Sequence, residues 1–208
     1  TALEENSAYD QTLTDFLYGG DDRYRLCQEA LLGMGGLSML RALGHEDVTA
    51  YHMNEGHSAL LALALLEEGK KGKSLATVDE KDIESVRNRC IFTTHTPVPA
   101  GHDKFPIEQV EEILGKDRAQ FLKTYKSGQN GTMNTTFLAL FFSRYINGVS
   151  SRHEEISQDM FPNYPINSIT NGVHSFTWTA DPFRRLYDNH IPEWRYDNLY
   201  LRYARGIP

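Results

Sequence analysis

The residues of this chain best equipped for chemistry fall at the ends of short apolar runs. Cys90-Ile91-Phe92 leads into Thr93-Thr94-His95-Thr96, and Gly101, His102 and Asp103 follow closely. Asn54-Glu55-Gly56-His57 closes a second run, and Thr170-Asn171-Gly172-Val173-His174 closes a third. Three chemistries are open to such a set. Metal binding would draw on His52, His57, His95, His102 and His174 with the carboxylates. His52 and His57, however, straddle a turn and do not share a helix face, and no metal site is expected. Nucleophilic catalysis would need a GxSxG elbow or a cysteine in a glycine-flanked turn, and neither is present. Neutral donors and acceptors, one carboxylate and turn glycines suit a polyhydroxylated ligand, whose hydroxyls each need partners at fixed places. Beside that stands the plain alternative: a structural histidine, threonines chosen for strand propensity and glycines chosen for turns. Glycoside hydrolysis would require two flanking carboxyls, and Glu55 with Asp103 is the pair available.

Strands are needed to bring these residues together. Residues 48–53, 90–95 and 166–170 predict strands, with 148–150 a further short one. Residues 10–18 and 23–43 predict helices, the second from Leu26, Ala30, Met34, Leu37 and Leu40 at helical spacing, with Gly44 as its stop. Gly33, Gly35 and Gly36 interrupt that helix at about 1 kcal/mol each against alanine, which asks for a close approach of another backbone. Residues 57–68 are apolar nearly all round, which implies burial. A polar helix over 79–89, short helices over 106–114 and 116–125, and a loop over 127–131 follow. A helix bearing Met133, Phe137, Leu140, Phe141 and Tyr145 is ended by Asn147-Gly148, and residues 151–160 are helical again.

Strands alternating with helices predict an α/β fold, a Rossmann-like three-layer unit with a mostly parallel sheet. In such a sheet the ligand crevice lies beyond the carboxyl ends of the strands. Glu55, His57, His95 and Asn171 are therefore expected on one rim. With no linker, repeat or low-complexity tract, one domain over 1–208 is the simplest organisation.

The 208 residues are 40% hydrophobic and carry a formal net charge of −7 without a basic block, which argues against a nucleic-acid surface. Lys70-Lys71-Gly72-Lys73 reads as a solvated turn. Two cysteines give no disulfide framework and point to a reducing, cytoplasmic setting. No apolar run approaches the ~20 residues of a membrane span, and no signal peptide pattern opens the chain. Beginning at Thr1 and stopping at Pro208, the sequence is expected to be a piece of a longer protein.

Four segments, YHMNEGHSALLAL (51–63), FTTHTPVPAGHDKFP (92–106), NGVSSRHEEIS (147–157) and TNGVHSFTW (170–178), together resemble the α-glucan phosphorylases, the glycogen, starch and maltodextrin phosphorylase family. LYGGDDRYRLCQEALLGMGGLSMLRALG (17–44) resembles the stretch preceding them, in the shorter form found in many bacteria and archaea. The resemblance implies a glycosyltransferase-B fold and phosphorolysis of terminal α-1,4-linked glucose by orthophosphate, giving α-glucose 1-phosphate. It also implies pyridoxal 5′-phosphate held mainly by a C-terminal domain that has no counterpart here. These residues would then be the second half of the N-terminal domain, inactive alone and binding no cofactor. A non-catalytic glucan-binding module is the alternative.

Carried over by motif, His95 matches the histidine at the terminal glucose. Its side chain is implied to bond the 6-hydroxyl, and its main-chain carbonyl to face positive charge at the anomeric carbon. Glu55, His57 and Thr96 match pocket residues, Gly101 the small residue that leaves room for the sugar, and Asp21 the start of the gate loop. The gate is shorter than in the long animal enzymes, so their nucleotide-driven gating and allosteric sites are not implied. Partners are expected to be α-glucan and orthophosphate, with no nucleic acid or membrane. Self-association is expected through an exposed sheet edge and apolar helix faces such as that of residues 59–66.

Overall fold

The computed structural model describes residues 2–17, 19–98, 101–125, 128–129 and 131–208. Its strands, in chain order, are β1 (Tyr51–Asn54), β2 (Cys90–Thr93), β3 (Lys104–Pro106), β4 (Gly128–Gln129), β5 (Thr132–Asn134), β6 (Tyr145–Gly148) and β7 (Asn167–Ser168). The helices are α1 (Ala8–Gln11), α2 (Asp22–Ala30), α3 (Gly36–Ala42), α4 (Leu60–Lys70), α5 (Glu80–Arg87), α6 (Ile107–Leu114), α7 (Lys116–Thr124), α8 (Thr135–Phe141), α9 (Ser151–Met160), α10 (Ser175–Trp178) and α11 (Asp181–His190).

β1, β2, β6 and β7 form a parallel sheet in that order, with Met53 beside Phe92 and Phe92 beside Ile146. This is the mostly parallel α/β unit expected. Parallel neighbours need crossover helices, which α4 and α5 supply between β1 and β2. Phe92 and Met53 are fully buried in a core that α4 completes with Leu60, Leu63, Leu65 and Leu66. The expected exposed face of residues 59–66 is therefore corrected. α4 packs against α3, α5 and α8, and its apolar circumference is used up in burial.

Residues 22–42 are continuously helical, one residue short of the expected end, and Leu31–Gly35 forms a π turn between α2 and α3. Gly33 justifies its cost: a Cβ there would lie 2.6 Å from the Leu61 nitrogen, in the backbone of α4. At Gly36 a Cβ would meet nothing within 4 Å. Gly33→Ala is expected to destabilise by about 1–3 kcal/mol through overpacking, whereas Gly36→Ala should gain about 0.5–1 kcal/mol from propensity. Urea midpoints of the two variants check this, and equal midpoints would refute it.

Other boundaries moved for identifiable reasons. The helix over 10–18 is reduced to Ala8–Gln11, because side chains there compete for the backbone, as when Thr12 Oγ1 donates to the Tyr9 carbonyl at 2.8 Å. The helix bearing Phe137 stops at Phe141, and Tyr145 and Ile146 belong to β6 in place of a strand at 148–150. Met133 sits in β5, part of a small antiparallel sheet ordered β3-β5-β4. Residues 127 and 130 of the expected loop lie outside the described residues.

The chain divides into two compact units, Thr1–Thr170 and Asn171–Pro208. The second carries its own apolar centre in Ile191 and Trp194, with Trp194 Nε1 donating to Asp188 Oδ1 at 3.0 Å and Arg195 lying over Phe176. Among the described residues, no helix is long and apolar enough to cross a membrane.

Candidate functional site

The carboxyl ends of β1 and β2 open onto a cavity of about 690 Å³. Glu55, His57, His95, Thr96 and Gly101 line it together; strand direction led to that expectation for the first three, and the family resemblance for Thr96 and Gly101. Asp21 is placed otherwise: it caps α2, accepting from the Tyr24 N–H at 2.9 Å. Asn171 opens the second unit and is exposed.

His95 is exposed at the end of β2, and the threonines before it are spent on the sheet. Thr93 Oγ1 donates to Asn147 Oδ1 at 2.9 Å and meets His52 Nε2 at 2.7 Å. Thr94 Oγ1 donates to Glu55 Oε1 at 3.3 Å. Gly101 is required by a neighbour, since a Cβ there would lie 2.3 Å from Thr96 Cγ2. His102 is a structural histidine: its Nδ1 meets Thr136 Oγ1 at 2.8 Å, its ring edges onto Phe161, and burial lowers its pKa.

The cavity also reveals residues that the motifs did not mark. Arg25 and Glu29, one helical turn apart on α2, line it. Arg25 donates to Asp103 Oδ2, which also lies 3.1 Å from His57 Nδ1, and Glu29 Oε1 lies 3.8 Å from the same nitrogen. Glu29 is 3% exposed, and neither of its oxygens has a hydrogen-bond partner among the described residues. Burial raises its carboxyl to about 7, against the pull of His57. The bond to Asp103, and then the Glu29 carboxyl 3.8 Å away, raise His57 to about 9. For Asp103 burial works upward, but the His57 bond, with Glu29 and Arg25, outweighs it and holds the carboxyl at about 2.

Glu29, His57 and Asp103 offer ligand atoms within 4.8 Å of one another, the spacing of a metal site. The charge a cation would bring is already supplied by Arg25 and a protonated His57, so the cluster reads as an ion-pair network in the cavity wall. Its sequence signal was present. Glu29 falls three residues after Leu26 and four before Gly33, inside the apolar stripe of the helix, where a carboxylate must be buried.

No family model matches the chain. Among curated proteins it is similar to the maltodextrin phosphorylase of Thermococcus litoralis, 38% identical over 94% of this chain and 24% of that protein. The glycogen phosphorylase of Aquifex aeolicus is 33% identical over 93% of this chain and 30% of its own length. That of Mycobacterium tuberculosis is 34% identical over 88% and 24%. The chain thus spans between about a quarter and a third of the relatives it matches. Over nearly its whole length it is homologous to a segment of these proteins, and it belongs to the glycogen and maltodextrin phosphorylase family.

Proposed function

We propose that this chain forms the glucose-side wall of the cleft of an α-glucan phosphorylase of glycosyltransferase-B fold. Orthophosphate cleaves the terminal α-1,4-linked glucose of a glucan, leaving it one unit shorter and releasing α-glucose 1-phosphate. The observation that carries this reading is the meeting of His95, Thr96, Gly101, Glu55 and His57 on one cavity at the carboxyl ends of adjacent parallel strands. A cavity of about 690 Å³ is large enough for a pyranose with its neighbours. His95 bonds the sugar's 6-hydroxyl through its imidazole, and its main-chain carbonyl faces the anomeric carbon as positive charge develops there. Thr96 lines the same side, and Asp21 starts the gate from the head of α2.

Pyridoxal 5′-phosphate is the family's cofactor. It needs a lysine for its aldehyde and basic groups for its phosphate. The described lining offers no lysine, and its arginine, Arg25, is engaged by Asp103, so this wall does not hold the cofactor. The rest of the full-length protein supplies that site. Hydrolysis by Glu55 and Asp103 is disfavoured, because Arg25 and His57 engage Asp103 while Thr94 and main-chain N–H groups engage Glu55. The setting is cytoplasmic, with glucan and orthophosphate as partners. β1, an edge of the sheet among the described residues, is the surface for self-association of the isolated chain. Sedimentation as a monomer throughout the micromolar range would exclude that last point.

The deciding experiment is phosphate-dependent release of glucose 1-phosphate by the full-length parent. His95→Ala keeps the main-chain carbonyl and removes the imidazole's bond to the 6-hydroxyl, so kcat/KM is expected to fall by about 10–10², the scale of one lost hydrogen bond to substrate. Maltooligosaccharide binding without phosphorolysis by that parent would instead select a glucan-binding module.

A further inference from the structure

Glu55 stands at the cavity, yet its carboxylate is turned to the protein. Oε1 accepts from the His95 main-chain N–H and from Thr94 Oγ1, and Oε2 accepts from the Gly56 N–H at 3.3 Å. Glu55 is 9% exposed. Its own N–H donates to the Thr93 carbonyl at 2.9 Å, so the β1–β2 ladder runs one residue past the strands. Thr94 is held from the other side, its N–H donating to the Asn147 carbonyl at 3.0 Å. The loop leaving β2 is thus pinned at two successive residues, from β6 and from Glu55.

The backbone marks the same place. Glu55 has φ 66°, ψ 171°, a conformation that favours glycine and costs a side-chain-bearing residue roughly 1–3 kcal/mol. A glutamate persists there although glycine would relieve the strain, so the carboxylate does something that glycine cannot.

We propose that Glu55 is a positioning residue: its carboxylate fixes the main chain at His95 and so aims that residue's imidazole and carbonyl into the cavity, without itself contacting the ligand. For its kinetic consequence the inference rests on the phosphorylase reading; its structural part does not. A misplacement of about 1 Å at such a group can cost roughly 10²-fold in rate.

Two variants separate the possibilities. Glu55→Gly suits the backbone and removes the acceptor, whereas Glu55→Gln keeps an oxygen acceptor and removes the charge. In the 208-residue chain, amide hydrogen exchange read by NMR should show the His95 N–H protected in the parent and in Glu55→Gln, and at least roughly tenfold faster in Glu55→Gly. In the full-length protein, Glu55→Gly should lose about 10²-fold in kcat with little change in KM, and Glu55→Gln should recover at least roughly tenfold of that loss. Glu55→Gln as defective in kcat as Glu55→Gly would overturn the proposal, because a direct role of the charge would then account for both. So would His95 exchange unaltered in Glu55→Gly. A parent without phosphorolysis would remove the phosphorylase reading, and the exchange measurement would still decide the role of Glu55.

Discussion

Replacing Glu29 by glutamine is expected to change stability by less than about 1 kcal/mol at pH 5 and to raise it by about 3 kcal/mol at pH 8. The carboxyl is raised by burial from 4.5 to about 7, so the folded state favours its protonated form. The stability this contributes is fully present below pH 4.5 and is lost as pH rises through about 7. Glutamine has the same shape and no charge to bury, and escapes that loss. Thermal melts of parent and variant at the two pH values read the effect directly. Parallel dependence of Tm on pH in the two proteins would mean that Glu29 is ionised and accommodated throughout.

The second large effect belongs to Asp103, which joins Arg25 and His57 with side chains at most 27% exposed. Asp103→Asn leaves two cations facing each other without their shared carboxylate. Breaking a buried pair in this way should cost roughly 3 kcal/mol. The His57 imidazolium, held up to about 9 chiefly by Asp103, should then titrate nearer 6.5. In the parent, His57 contributes stability that is complete below pH 6.5 and fades as pH rises through about 9, and the variant should lack that slope. Asp103 itself, lowered to about 2, contributes above 3.8 and is lost as pH falls through about 2. Proton NMR of the His57 ring follows the first change and urea unfolding the cost. An imidazole still titrating near 9 would show that Asp103 does not hold it.

What could be read in advance follows from how each feature is encoded. Strand direction alone implied that Glu55, His57, His95 and Asn171 would share a rim, because parallel strands end on one side whatever their distance in sequence; the first three line the cavity, and Asn171 belongs to the other unit. Gly33 announced a close backbone contact by its cost. Gly35 and Gly36 carried the same cost without such a contact, since a Cβ meets only a Leu31 methyl at 3.9 Å in one case and open space in the other. The antiparallel sheet was not legible, as its strands of three, two and three residues are too short to show an alternating pattern. β6 was hidden for a different reason: a buried strand and a buried helix present the same apolar run, and Phe137 to Ile146 contains both. The boundary at Thr170 is marked only by Asn171-Gly172, which reads as the turn closing a strand, and it is the separate core around Trp194 that sets Asn171–Pro208 apart.

The wide turn at Leu31–Gly35 gives the long helix one residue more than a regular winding would accommodate. Because the turn absorbs that residue within itself, excising one residue there would restore regular winding and leave Arg25 and Glu29 on the face they present to the cavity. An excision in α3, where the winding is already regular, would instead turn everything upstream by about 100° and carry both side chains away. Chain length is therefore negotiable at the wide turn and fixed in the helix that follows it.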